Sequence, residues 1–194
     1  MAMDKAARRQ QILNEAREVF AKRGYHAAKV DDIVAAARIA RGTFYLYFDD
    51  KRAIFEEIVD RMLTRVGMSI TRVDTQKPVP DQIRDNVRRV IGVLLEDRAT
   101  TKILLSDARG VDPAFDRKLQ GFMEEVHTLM EHSLSDGHQL GIVAKGDARI
   151  QAVLAMGALK ELLYQVVVRG WDYPEEKIVE ELYAFLESGL LRLP

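Results

Sequence analysis

The sequence predicts an all-α protein of about nine helices: a small N-terminal helix-turn-helix bundle and a larger helical body. Three observations carry this. Apolar residues recur at three- and four-residue spacing along most of the chain, the signature of helix faces. Five prolines and twelve glycines in 194 residues leave long stretches without a breaker. Finally, the stretch from Ala37 to Lys51 is too short for a long helix and too aromatic for a loop, with Phe44, Tyr45, Tyr47 and Phe48 crowded together.

The first helix spans residues 4–23, with Ile12, Leu13, Ala16, Val19 and Phe20 on one side and a stop at Gly24. Arg8 and Arg9 lie on its polar side, suited either to phosphate contact by an N-terminal arm or to a solvated helix end. A second helix runs from Val30 to Ala37, with Val30, Ile33, Val34 and Ala37 on one face. Asp31 and Asp32 stand in its first turn, where negative charge meets the positive end of the helix dipole. After a tight turn at 38–40, a third helix covers about 41–47. Phe44 and Phe48, at i and i+4, dock on the bundle, while Arg41, Thr43, Tyr45 and Tyr47 face outward. An outer face of Arg, Thr and Tyr suits the DNA major groove: Arg reads guanine edges, Thr a base or thymine methyl, and Tyr hydroxyls reach phosphates.

A long helix then opens at Asp49-Asp50, either of which caps it, and carries Ile54, Phe55, Ile58, Val59, Met62, Leu63 and Val66 to about Val73. Lys51 in its first turn is placed as a phosphate clamp. Residues 74–80 form a loop. Further helices are expected at about 81–97 and 99–108, and, after a break at Gly110 and Asp112-Pro113, to about Leu134. A polar connection covers 136–146. The last two helices, 147–169 and 175–192, are apolar over wide arcs, the first nearly all round, as in a helix buried on most sides. They mark either a subunit interface or a monomer's core.

Apolar residues are 47% and charged residues 30% of the chain, a globular mixture, and the net charge is −1. The charge is uneven: residues 1–52 carry +4 and the remainder −5, which fits a nucleic-acid module joined to a body with another task. Without cysteine there are no disulfides and no thiolate metal sites. No uninterrupted apolar run reaches the roughly 20 residues of a membrane span, and the N-terminus lacks a signal-peptide core; a cytoplasmic protein without membrane contact is expected. No enzyme pattern stands out. Glu124 and His127 share the i, i+3 spacing of di-iron bundles, but no second such pair exists, so neither a metal nor a cofactor is expected.

Gly42-Thr-Phe-Tyr-Leu-Tyr-Phe-Asp-Asp-Lys51, followed by Ile54-Phe55 and preceded by Gly24-Tyr25 and the 30–37 segment, resembles the recognition-helix region of TetR-like transcriptional repressors, over about residues 8–55. Three positions depart from the family's pattern: Lys29 stands where Thr is usual, Arg38 where Gly is, and Ala40 where Ser is. Lys29 loses a side-chain cap, and Arg38 falls where φ > 0 is required. The resemblance implies a DNA-binding domain at 1–50 and an effector-binding and dimerisation domain at 51–194. It further implies a homodimer joined through the last two helices, a double-stranded, roughly palindromic operator, and a small hydrophobic effector that releases it.

Arg41 and Thr43 are then the candidates for base edges, and Lys29, Arg38, Tyr45, Tyr47 and Lys51 for phosphates, with Gly42 allowing close backbone approach. Arg38 could instead reach a base. Effector candidates are Leu94, Leu104, Phe115, Met123, His127, Met130 and Met156, with methionines suited to irregular ligands. Activation in place of repression fits the same residues. Two other classes stay open: an interaction protein that kept the fold but lost specific DNA binding, and a metal-binding helical-bundle enzyme.

Overall fold

The computed structural model describes residues 5–106 and 113–190. Nine α-helices are found among them: α1 Lys5–Arg23, α2 Val30–Ala37, α3 Arg41–Tyr45, α4 Lys51–Ser69, α5 Val79–Glu96, α6 Arg98–Ser106, α7 Pro113–Gln139, α8 Ala148–Leu163 and α9 Glu175–Leu190. The described residues hold no strand. The chain forms two compact units, one of residues 1–64 and 97–117, the other of residues 65–96 and 118–194.

In the first unit α1 packs on α2 and α6. Ile12, Leu13, Ala16 and Phe20 of α1 are buried with Ile33 and Ala37 of α2, Phe44 of α3, Phe48, and Ile54, Phe55 and Val59 of α4. Rings continue this core, with Phe55 5.4 Å from Phe20, 4.4 Å from Tyr25 and 5.5 Å from Phe115. α1 stops where expected: Gly24 takes φ 77° and its N–H donates to Phe20 O. Asp97 caps α6 by accepting from the Thr100 N–H and hydroxyl, and also holds Arg17 of α1 at 3.2 Å.

In the second unit α5 packs on α9. Ile91, Leu94 and Leu95 are buried on α5, and Ile178, Val179, Leu182 and Tyr183 on α9. Arg84 lies 4.4 Å above the Tyr183 ring. Burial, together with a hydrogen bond to Glu187, pushes the Tyr183 hydroxyl up to about 12.

Several boundaries differ from the sequence expectation. α4 ends at Ser69 rather than near Val73, because side chains take its last carbonyls: the Ser69 hydroxyl donates to Val66 O and Arg89 donates to Ser69 O. α7 continues past Leu134 to Gln139. Gly137 is tolerated within it because Val143 packs where a Cβ would collide, and the left-handed stop comes only at Gly141, φ 73°. α8 ends at Leu163 and passes into a π-helical turn, Tyr164–Val168. The expected break at Gly110 and Asp112 lies outside the described residues, as do residue 4 and residues 191–192; Pro113 does open α7.

α8 is not buried on most sides within the chain. Ile150, Val153 and Leu154 are exposed along one stripe, Leu154 by 63%, and Phe185 of α9 is exposed by 61%. Ala148–Val168 is also long and apolar enough on average to cross a membrane, although Arg149, Lys160 and Glu161 interrupt it. Because those charges divide it, no single uninterrupted apolar run marks it in the sequence.

Candidate nucleic-acid interface

The site is built by the turn between α2 and α3. Arg38 occupies the left-handed region, φ 52° and ψ 49°, and among the described residues no other non-glycine has positive φ. Its N–H donates to Ala35 O and the Ile39 N–H to Val34 O, the paired bonds that end a helix in a Schellman motif. An arginine thus does what glycine usually does, at a conformational cost of about 1–2 kcal/mol, and the turn between the two helices is fully formed.

Lys29 offers no side-chain acceptor to α2, as its chemistry dictates. Half of a capping box is made in its place: the Lys29 N–H donates to Asp32 at 2.9 Å. Asp32 also pairs with Arg23 at 2.8 Å. Ala40 likewise gives α3 no side-chain cap. Of the two acids before α4, Asp50 is the cap, accepting from the Ala53 N–H at 2.7 Å.

The short α3 turns Phe44 fully inward, with Phe48 buried just beyond it. Outward it leaves Arg41, Gly42 and Tyr45 exposed, with Thr43 and Tyr47 half-buried. Leu46, outside the candidates the sequence marks, is 75% exposed on this surface. Its i+2 offset from Phe44 was the signal that it faces away from the core. Lys29 and Arg38 are exposed nearby in sequence. Arg41 pairs with Asp31, and its guanidinium is held above the ordinary range by hydrogen bonding to Tyr45 and by the Asp31 charge.

Lys51 has inward partners. Its ammonium donates to Tyr25 O at 2.7 Å and Ala28 O at 2.9 Å, and sits 4.3 Å above the Tyr25 ring. Burial lowers its pKa. The lysine therefore ties the start of α4 to the segment that leads into α2. Arg9, one of the two candidate arm residues, is engaged as well, in a two-pronged pair with Glu57 and 4.6 Å above Phe48.

The effector candidates fall in both units. Phe115 belongs to the aromatic core of the first unit, 5.5 Å from Phe55, and Leu104 to the same unit. Leu94, Met123, His127, Met130 and Met156 belong to the second. A shallow hollow between α7 and α8 is lined by Glu124, His127, Thr128, Glu131, Arg149, Ala152 and Val153. His127 is the one candidate among them, and the lining is largely polar.

A three-helix unit that presents an exposed Arg/Thr/Tyr helix across a tight turn is a helix-turn-helix DNA-binding module. Residues 12–58 match the model of the bacterial regulatory proteins of the tetR family, the region where the sequence carries the resemblance. The chain is 24% identical over 185 residues to the fatty acid metabolism regulator protein of Bacillus subtilis, covering 93% of this chain and 94% of that protein. Its fold is shared with the regulator FadR of Bacillus subtilis solved with stearoyl-CoA, at TM-score 0.75, 22% identity and 93% and 98% coverage of the two chains. It is shared too with AibR solved with isovaleryl coenzyme A and operator DNA, at TM-score 0.72, 18% identity and 92% and 97% coverage.

Proposed function

We propose that the protein is a cytoplasmic, homodimeric transcriptional repressor that binds a roughly palindromic operator and leaves it on binding an acyl-coenzyme A. It is a regulator, not an enzyme. Residues 1–50 form the reading head, and residues 51–194 bind effector and partner. The carrying observation is the outer face of α3, where Arg41, Thr43 and Tyr45 stand out from a buried Phe44 within a family-matched module. Arg41 and Thr43 meet base edges; Lys29, Arg38, Tyr45 and Tyr47 meet phosphates; Gly42 permits the approach. Lys51 adds its charge at the N-terminus of α4 while bracing the turn below.

The exposed stripe of Ile150, Val153 and Leu154 with Phe185 supports pairing through α8 and α9, since so large an apolar surface is costly to leave in water. Two heads so paired would sit about 34–36 Å apart, one turn of DNA. The acyl-coenzyme A assignment is supported by what the relatives bind, stearoyl-CoA and isovaleryl coenzyme A. Effector acts by preferring a dimer shape whose heads do not fit the operator.

The test is to bind the protein to a duplex selected from a randomised pool, then add stearoyl-CoA, isovaleryl-CoA or free coenzyme A. Release by an acylated form and not by the free one is expected. Retention on DNA at saturating concentrations of both acyl forms would overturn the effector assignment.

A further inference from the structure

The two acids in the first turn of α2 have divided their work. Asp32 caps the helix through the Lys29 N–H and pairs with Arg23. Asp31 does neither. Its two oxygens lie 2.8 and 3.2 Å from a single nitrogen of Arg41, Nη1, across the turn on the first residue of α3. Both side chains are more than 60% exposed, so the pair adds little to folding stability. An acid on the outer face of a DNA-reading module also repels phosphate. Its place in the first turn of α2 gains only modestly from the helix dipole at so exposed a site, and electrostatic attraction to DNA is weakened by it.

We propose that Asp31 is a specificity-determining residue: it holds Arg41 in one rotamer, directed at base edges, and keeps it from serving as a general phosphate contact. This rests on the DNA-binding reading above. Arg41 gives Nη1 to the carboxylate and also hydrogen-bonds Tyr45, and the remaining donors of its five-donor fork are what would meet guanine O6 and N7. A neutralised pair attracts a phosphate weakly, because that attraction follows net charge. The directional bonds to guanine persist, because they follow geometry. Tyr45, one turn along α3, also hydrogen-bonds Arg41. Asp31 thus lowers affinity for all DNA and raises the preference for the right sequence.

The experiment compares wild type, Asp31→Ala, Arg41→Ala and the double variant. Each is titrated at one salt concentration against the duplex that wild type enriches from a randomised pool, and against a shuffled duplex of equal composition. Asp31→Ala should bind shuffled DNA several-fold tighter, with selectivity falling on the order of tenfold. Arg41→Ala should lower selectivity at least as far, and adding Asp31→Ala to it should lower selectivity no further. An Asp31→Ala protein that tightens on both duplexes by one factor, leaving selectivity intact, overturns the proposal. So does an equal selectivity loss from Asp31→Ala in the Arg41→Ala background, which would mean that Asp31 reads DNA by itself. A wild type that enriches no sequence refutes the DNA-binding reading, and this inference with it.

Discussion

The two units place their large apolar residues differently. In the first, Phe20, Phe44, Phe48, Phe55 and Phe115 are almost fully buried; Phe20 and Phe115 each meet the Phe55 ring, and Phe44 meets Phe48. In the second, Ile150, Val153, Leu154 and Phe185 stand in solvent on two adjoining helices. The first unit closes its core with its own residues, so the position of α3 is determined by packing inside one chain. The second leaves a face for something else to complete. A reading head must be stiff to hold side chains against base edges, whereas a subunit surface needs only to be apolar and accessible.

The sharpest way to break the contrast is at Phe44. Phe44→Ala should destabilise the protein by about 3–5 kcal/mol, read by denaturant unfolding, and abolish sequence-specific binding. The matching change in the second unit, Phe185→Glu, should leave helicity unchanged and weaken the proposed self-association by at least about thirtyfold, read as molecular mass by light scattering across a dilution series. Equal effects of the two changes on unfolding would erase the distinction.

Lys51 sharpens the comparison within the first unit. Lys51→Met should cost about 1–2 kcal/mol of stability, since the Tyr25 and Ala28 carbonyls lose their donor. A purely phosphate-contacting lysine would leave stability untouched and only flatten the salt dependence of DNA binding.

The smallest effect concerns the Arg9–Glu57 pair that ties α1 to α4. Arg9 holds the Glu57 carboxyl below its usual 4.5, with the hydrogen bond the largest cause. A depressed carboxylate stabilises the fold above its unfolded pKa, and this is lost as pH falls through the folded value. Stability should therefore drop as pH falls below about 4.5, and the drop should be shallower in Glu57→Gln, by about 1 kcal/mol at most for a partly solvent-screened pair.

Much of the first unit was legible in the sequence because each local signal acts over a few residues. α2 runs from Val30 to Ala37 as its apolar spacing indicates, Gly24 takes positive φ, and so does Arg38 at the position where the resemblance placed glycine. The partners of Lys51 were not legible, because Tyr25 and Ala28 lie 26 and 23 residues away and a backbone carbonyl leaves no mark on sequence. Nor was the pairing of Asp31 with Arg41, which depends on the left-handed turn that sets α2 against α3. In the second unit spacing located the helices but not their ends, since α7 continues past Leu134 through Gly137 and the left-handed stop comes only at Gly141. Phe115 illustrates the limit of apolar periodicity: the pattern shows that a ring is buried, and only the fold shows that its neighbour is Phe55.

The most direct measurement is titration of the wild-type protein against the duplex it enriches from a randomised pool and against a shuffled duplex, at two salt concentrations. A sequence-specific regulator should retain a strong preference for the enriched duplex at the higher salt, because base-edge contacts persist while counterion-driven attraction fades. Equal affinity for both duplexes, disappearing together as salt rises, would contradict the account and reduce the α3 face to a basic surface.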